Sequence, residues 1–188
     1  MHALRLVESP EREAERVARA ADGDEASRNW LVQKWTPTMY RYALRMLGES
    51  EDAADAAQDI LIKVLRALPT YDQERSFSTW IFGIARNTCI DAQRRRRHRT
   101  HDELGEVADS TLSALGSAIQ AERASQVHEA LAKLPEAYRE VLVLYHFEHL
   151  KYVEIAEILG EPIGTTMNRI FRARQRMRGL LELDGGAP

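Results

Sequence analysis

Residues 152–166 read YVEIAEILGEPIGTT, and the Arg-rich residues 167–178 follow them. Residues 152–159 carry apolar side chains at helical spacing, Gly160 interrupts the pattern, and the pattern resumes near Gly164. The segment therefore predicts two helices joined by a tight turn. The second helix is basic on one side and apolar on the other, which suits a helix-turn-helix that places side chains in the major groove of duplex DNA.

A second basic helix end lies far upstream, where residues 94–97 are all arginine. The chain has 188 residues and a formal net charge of −3, so it is not a uniformly basic DNA-coating protein. Its charge is segregated: acidic residues gather within 49–59 and 102–109, and basic residues within 94–99 and 169–178. This pattern suits a protein that grips DNA at two points and contacts another protein as well.

The composition excludes several classes of protein. Hydrophobic residues make up 44% of the chain, which is enough to bury a core. Cys89 is the one cysteine, so no disulfide can form within the chain, in keeping with a reducing compartment. No apolar run approaches the roughly 18–20 residues that a membrane span needs. We expect a cytoplasmic protein without a membrane span.

Helical patterns dominate, and no segment convincingly predicts a strand. Residues 57–68 carry apolar side chains every three or four positions, which predicts one apolar helix face that ends at Pro69. A polar loop follows, and either Ser76 or Ser78 can cap the next helix. Further upstream, Pro37 is expected in the first turn of a new helix that ends at Gly48, and Ser50 is expected to cap another.

The expected fold is all-α, with two small helical domains joined by a flexible linker. The N-terminal domain takes residues 1–98, the acidic and Ser/Gly-dotted linker residues 99–124, and the C-terminal domain residues 125–188. The helix-turn-helix belongs to the C-terminal domain.

Four sequence blocks then identify a family. Residues 51–59 read EDAADAAQD, residues 77–91 read FSTWIFGIARNTCID, and residues 131–141 read LAKLPEAYREV; the helix-turn-helix through Arg174 is the fourth block. In this order and spacing the chain resembles a bacterial sigma factor of the extracytoplasmic-function (ECF) type, in the sigma-70 family. The resemblance covers nearly the whole chain.

The resemblance implies a specificity subunit of RNA polymerase without chemistry of its own. The N-terminal domain would read and melt the −10 promoter element, and the C-terminal domain would read the −35 element. The implied partners are core RNA polymerase, through its β′ clamp helices and β flap, promoter DNA, and an anti-sigma factor. No catalytic residue, cofactor, metal or small-molecule substrate is expected.

The predicted recognition helix divides into two faces. The side chains that should face the core recur at helical spacing: Thr166, Ile170, Ala173 and Met177. The residues expected to contact the −35 element are Thr165, Met167, Asn168, Arg169, Phe171, Arg172, Arg174 and Arg176. Arginine pairs with guanine, asparagine with adenine, and phenylalanine packs on a thymine methyl group, while other arginines hold phosphates. The alternative is a solvated basic face.

Three positions of this helix depart from the family pattern. The family usually carries Lys or Arg where this chain has Met167, often Ser where it has Asn168, and commonly Val where it has Thr166. The −35 sequence that this chain reads is therefore expected to differ from that of better-known members.

The N-terminal domain carries the residues that the resemblance assigns to the −10 element: Tyr71, Asn87, Asp91, Arg94, Arg95, Arg96 and Arg97. Tyr71 and Asn87 match positions that flank an extruded base, where an aromatic ring and an amide replace lost stacking and base pairing. The arginines would bind phosphates. The alternative is that Tyr71 is docked on the core and Asn87 is an ordinary surface residue.

The resemblance also implies a polymerase-binding face: Asp52, Asp55, Gln58, Asp59, Ile62 and Lys63. A solvated face and a metal site are the alternatives, but no histidine lies near in sequence. His146 and His149 are interpreted as ordinary helix residues, and Cys89 as a small buried one.

Three other functions compete with this interpretation. A conventional helix-turn-helix repressor or activator would have no need of residues 77–91 joined to a basic helix end. A nucleic-acid hydrolase would need converging carboxylates or a metal cluster. A degenerate family member that serves only as a scaffold would not depend on Arg172.

Overall fold

A computed structural model describes residues 10–102 and 118–184 of the chain. Within these ranges all regular secondary structure is helical, which confirms the predicted all-α class. The helices are α1 (Pro10–Ala21), α2 (Glu25–Leu47), α3 (Ser50–Ala67), α4 (Phe77–Asp102), α5 (Ala118–Lys133), α6 (Glu136–Leu142), α7 (Tyr152–Leu159) and α8 (Ile163–Asp184), with a 3-10 turn at Leu68–Thr70 and a π-helical turn at Val143–Phe147. No helix in these ranges is long and apolar enough to cross a bilayer.

Pro37 lies inside α2, so the prediction that it begins a new helix is wrong. A proline inside a helix loses one backbone hydrogen bond and costs about 3 kcal/mol. Trp35 and Met39, on either side of it, are both buried in the core. Their packing offsets the local cost, because a break at Pro37 would pull one of these side chains out of the core.

The other helix ends are partly as predicted. Gly48 has a φ of 87° and follows the last residue of α2. Ser50 is the first residue of α3 and not its cap, so that prediction is wrong; Glu49, which keeps extended backbone angles, holds the cap position. At the start of α4 the Ser76 Oγ accepts a backbone N–H at 3.4 Å, which selects Ser76 over Ser78.

Helices α1–α4 form the N-terminal domain. The predicted apolar face of α3 is buried, and Ile60 and Val64 have no exposed surface. Aromatic rings fill the space between α2 and α4, where the Phe82 ring meets that of Tyr42 at a centroid distance of 5.3 Å and that of Trp35 at 6.1 Å. These contacts fix α4 on α2 and so direct its basic C-terminal end.

Helices α5–α8 form the C-terminal domain. The run of residues 141–144, whose side chains favour strands, is helical and wholly buried. Ile155 of α7 and Ile170 of α8 complete this core. The helix-turn-helix therefore rests on a hydrophobic base made by α6 and the π-helical turn.

The predicted linker, residues 99–124, is helical at both of its ends. The last residue of α4 is Asp102, and α5 begins at Ala118. Residues 103–117 of the predicted linker lie outside the described residues.

The two domains meet through polar contacts. The Arg86 guanidinium of α4 lies 2.5 Å from the Glu140 carboxylate of α6, and Arg45 of α2 lies 3.3 Å from Glu148. Arg139 donates a hydrogen bond to a carbonyl in the last turn of α2 at 2.8 Å. Because the carboxylates of Glu140 and Glu148 are almost fully buried, water screens these pairs only weakly.

Candidate nucleic-acid interface

The turn between α7 and α8 is held by Gly160 and Glu161. Gly160 ends α7 in the left-handed conformation, with a φ of 65°, which glycine adopts readily because it lacks a Cβ. The Glu161 N–H donates to the carbonyl of Ala156 at 3.1 Å. The Glu161 carboxylate accepts a hydrogen bond from the Thr166 hydroxyl at 2.8 Å and pairs with Arg169. These contacts fix α8 relative to α7.

One face of α8 is buried, as its spacing predicts. Thr166, Ile170 and Ala173 are at most 1% exposed, and Met177 packs against the core in a partly buried position. The predicted orientation of the helix is therefore confirmed, and its opposite face points to solvent.

The side chains predicted to contact the −35 element fall into two groups. Those exposed on α8 are Thr165, Met167, Asn168, Phe171, Arg172 and Arg176. Arg169 is held by Glu161, and the Arg174 Nε donates to the His146 Nε2 at 3.1 Å. DNA contact by Arg169 or Arg174 stays a prediction, and it would require each side chain to leave its internal partner.

His146 serves as the acceptor for Arg174. Burial, followed by the positive charge of Arg174 and the nearby His149, lowers the pKa of His146, so its imidazole is neutral near pH 7 and can accept a hydrogen bond. His149 has a φ of 56° in the turn before α7, so the prediction of a helical position is wrong for this residue. In residues 10–102 and 118–184, no group of three or more His, Cys, Asp or Glu side chains is placed to hold a metal ion.

Helix α4 presents part of the predicted −10 set on one face. Asn87, Asp91 and Arg94 are exposed and follow helical spacing, so they share one side of the helix. The Asn87 Oδ1 accepts a hydrogen bond from the Arg86 Nη1 at 3.4 Å. Arg97, one turn further on, also pairs with Glu136 of α6 at 2.8 Å.

Tyr71 follows α3 and is half-buried. Its ring lies 5.3 Å from that of Phe77 and 4.9 Å from that of Trp80, between centroids, and its hydroxyl donates to the carbonyl of Arg75. Burial raises the pKa of its phenol. Tyr71 lines a cavity of about 470 Å³ between α1 and the loop before α4, and Asn87 is not among the lining residues. The structure therefore does not bring the two predicted base-flanking residues together in this cavity.

The α1 side of this cavity could not be predicted from the sequence. Glu13 and Val17 of α1 face Gln73 and Ser76 of the loop across it. No local signal could have linked them, because the acidic, Ala-rich pattern of α1 has no feature that points to a distant loop.

The predicted polymerase-binding face lies beside a groove of about 560 Å³ between α3 and α4, whose lining residues are Asp52, Asp55, Ala56, Gln58, Asp59, Ala92 and Arg95. The Arg95 guanidinium lies 3.7 Å from Asp59, and that of Arg96 lies 3.6 Å from Asp52. Two sets that the sequence presents as separate sites, the acidic face of α3 and the basic end of α4, thus share one charged surface.

The last two residues of that predicted face differ in role. Ile62 is exposed, whereas the Lys63 Nζ donates to the Thr88 Oγ1 of α4 at 3.0 Å. Lys63 therefore helps to hold α3 against α4, whatever else it contacts.

Comparison with known proteins identifies the family. The model of Sigma-70 region 2 matches residues 31–99, and that of Sigma-70 region 4 matches residues 124–177. The ECF RNA polymerase sigma factor SigW of Bacillus subtilis is 31% identical over 175 residues, which cover 87% of this chain and 93% of SigW. The chain belongs to the ECF group of RNA polymerase sigma factors.

Further relatives of this sigma factor agree in length and architecture. The RNA polymerase sigma-H factor of Pseudomonas aeruginosa is 33% identical over 183 residues, covering 92% of this chain and 95% of that protein. The solved structure of CnrH in complex with the cytosolic domain of CnrY is similar, with a TM-score of 0.69, 28% identity and coverage of 92% and 98%. RpoE of Bartonella quintana, in complex with the anti-sigma factor NepR, gives a TM-score of 0.71, 25% identity and coverage of 83% and 97%.

The two family models match different parts of this sigma factor, and each part carries one of the candidate surfaces. The region 2 match contains α3, most of α4 and the charged surface that they share. The region 4 match contains α6, α7 and the exposed residues of α8 as far as Arg176. Each surface therefore lies within a separate matched region.

Proposed function

We propose that this sigma factor binds core RNA polymerase and directs it to promoters, where it recognises the −10 and −35 elements and opens the strands at −10. The observation that supports this best is the placement of two basic helices, α8 and the end of α4, in separate domains of one chain. Each can bind phosphate and read bases in one promoter element. The chain acts in the cytoplasm as a specificity subunit and supplies no catalytic group or cofactor.

The two promoter elements divide between the domains. Residues 1–98 contact the polymerase and the −10 element, residues 99–124 connect the domains, and residues 125–188 contact the −35 element. The exposed face of α8 reads the −35 element, and the face of α4 with Asn87 and Arg94 binds the −10 region. Tyr71 contributes to base capture if it leaves its contact with Trp80.

Protein partners occupy the remaining surfaces. The groove with Asp55 and Asp59 faces the β′ clamp helices, and its carboxylates complement a basic partner surface. The C-terminal domain contacts the β flap. The solved relative RpoE was captured with the anti-sigma factor NepR, and CnrH with the cytosolic domain of CnrY, which supports a protein partner of the anti-sigma type for this chain as well.

Reconstitution tests this function directly. Core RNA polymerase that lacks its own specificity subunit, mixed with this chain and a library of DNA fragments, should start transcripts at a limited set of sites that share two elements. Core polymerase alone should start none of them. A chain that fails to bind the core enzyme but holds an operator tightly as a dimer would instead be a conventional repressor.

A further inference from the structure

The recognition helix carries an unusual row of exposed apolar side chains. Ile163, Met167 and Phe171 of α8 are 48%, 49% and 58% exposed. They lie four residues apart, so they form one stripe along the helix, here called the apolar stripe. In the described ranges, the other exposed large apolar side chains are Val153 of α7, at 59%, and Ile62 of α3, at 39%. Exposed apolar surface is thus concentrated on the helix-turn-helix.

The apolar stripe does not contribute to the hydrophobic core. The buried face of α8 is defined by Thr166, Ile170 and Ala173. Met167 and Phe171 each directly follow a residue of that face, and one position along a helix turns the side chain by roughly 100°. Ile163 lies three positions before Thr166, on the same side of the helix as Met167. A solvent-exposed patch of this kind usually marks an interaction site.

The charge around the apolar stripe indicates what it contacts. Residues 163–178 include arginines at 169, 172, 174, 176 and 178 and contain no aspartate or glutamate. Arg172 and Arg176 are exposed on the same helix. A helix that combines positive charge with an apolar edge complements the major groove, where phosphates flank the C5-methyl groups of thymine.

On the basis of the proposed function, we infer that the apolar stripe reads thymine methyl groups in the −35 element. The N-terminal part of a recognition helix contacts base edges, and the stripe begins at the first residue of α8. Met167 and Phe171 are about 6 Å apart along the helix axis, which corresponds to roughly two base-pair steps of about 3.4 Å. Met167 and Phe171 therefore contact methyl groups on different base pairs, with Asn168 and Arg172 free to hydrogen bond between them.

Replacing thymine with deoxyuridine tests the inference, because this change removes the methyl group and leaves base pairing intact. The holoenzyme first selects its preferred −35 sequences from a library randomised in that element. The selected sequences should contain thymines, on either strand, separated by roughly two base pairs. Deoxyuridine at each such thymine should weaken holoenzyme binding about fourfold, the amount expected for one buried methyl group.

Variants of the stripe assign each methyl contact. In Met167→Ala the penalty of deoxyuridine should disappear at one thymine, and in Phe171→Ala it should disappear at another. Val153→Ala is the matched control, since Val153 is equally exposed but lies on α7; it should leave both penalties unchanged. Circular dichroism melts establish that all three variants fold.

Two results would overturn the inference. One is equal binding of thymine and deoxyuridine promoters; the other is a deoxyuridine penalty that Met167→Ala and Phe171→Ala do not alter. If both variants bind promoter DNA normally but lose affinity for a protein partner, the stripe is a protein contact. Failure of the holoenzyme to select any −35 sequence would contradict the proposed function itself, so the two failures are distinguishable.

Discussion

At the scale of single residues, Cys89 shows how the fold controls reactivity. Its side chain has no exposed surface, and burial raises the pKa of the thiol to about 12. The thiolate is the reactive form of cysteine, and at pH 8 roughly one molecule in ten thousand would carry it. Cys89 therefore acts as a small apolar residue of the N-terminal core.

We expect the Cys89 thiol to resist alkylation and disulfide exchange in the folded protein. Ellman's reagent at pH 8 should react with less than a tenth of the protein over the time in which it titrates one thiol per chain in 6 M guanidinium chloride. The unfolded sample is the control, because it exposes the same thiol at its ordinary pKa. Rapid reaction of the folded protein would show that this part of the core opens readily.

Asn87 provides a second prediction at this scale. It is exposed on α4 and its carbonyl accepts only a long hydrogen bond from Arg86, so its removal should cost little stability. Asn87→Ala should reduce promoter opening about tenfold, measured by permanganate reactivity of −10 thymines, while holoenzyme binding to a −35 element changes less than twofold. Equal losses in both measurements would remove the proposed role in base capture.

At the scale of elements, the α7–α8 turn depends on the backbone conformation of one glycine. Gly160 has a positive φ and no atom lies within 4 Å of the position that a Cβ would take. Strain in a substituted residue would therefore come from the backbone angles alone. Gly179, inside α8, also has open space around the Cβ position but an ordinary helical conformation.

Gly160→Ala should therefore lower the free energy of unfolding by about 1 kcal/mol, because an L-residue is disfavoured in the left-handed region. Gly179→Ala is the matched control, and it should raise the free energy of unfolding by about 0.5–1 kcal/mol through helix propensity. Urea denaturation followed by circular dichroism measures both. A change of the same sign in the two variants would contradict this account of the turn.

The outer face of α3 allows a test of the polymerase interface. Asp55 is exposed and lines the groove between α3 and α4. Asp55→Arg should weaken binding to core polymerase at least tenfold, because it places a positive charge where a basic partner is expected. Glu51→Arg makes the same charge change on α3 outside the groove and should alter the affinity less than threefold. Undiminished affinity of the Asp55 variant, measured with labelled protein, would count against this interface.

At the scale of the whole molecule, two buried carboxylates join the domains. Glu140 and Glu148 each pair with an arginine of the N-terminal domain, and burial, as the largest effect, raises the pKa of both. For Glu140 the positive charge of Arg86 opposes this shift. We therefore expect the stability that these interdomain pairs contribute to depend on pH.

The direction of that pH dependence follows from linkage. Because the folded state raises the pKa of Glu140 above its ordinary value of 4.5, the folded protein binds this proton more tightly than the unfolded chain. The stability that Glu140 contributes is fully present below pH 4.5 and is lost as the pH rises through the raised pKa. Glu140→Gln cannot titrate, so the wild-type protein should lose stability relative to this variant as the pH increases from 4.5 to 7.

Urea denaturation of both proteins across this pH range measures the difference. Glu136→Gln makes the same side-chain change in another interdomain pair, with Arg97, where the carboxylate is 32% exposed against 5% for Glu140; it controls for the loss of a pairing charge alone. A constant difference between wild type and Glu140→Gln would indicate that Glu140 keeps its ordinary pKa.

Much of the architecture could be predicted from local patterns. The buried faces of α3 and α8 follow from the spacing of apolar residues, and the ends of α2 and α7 follow from Gly48 and Gly160. Predictions from local sequence patterns were wrong or missing where contacts between distant parts of the chain decide the structure. Pro37 continues α2 because its neighbours are buried, and nothing in the acidic pattern of α1 predicts the cavity that it forms with the loop after Tyr71.

The amino-acid sequence by itself determined most of the helices, their buried faces and the family, because these depend on residue type and on spacing within a few turns. Only the tertiary structure decided which arginines of α8 remain exposed. Arg169 and Arg172 look equivalent in the sequence, but Glu161 holds Arg169, whereas Arg172 points to solvent. A long flexible side chain takes its partner from whatever the packed fold brings within reach, and spacing along one helix does not contain that information.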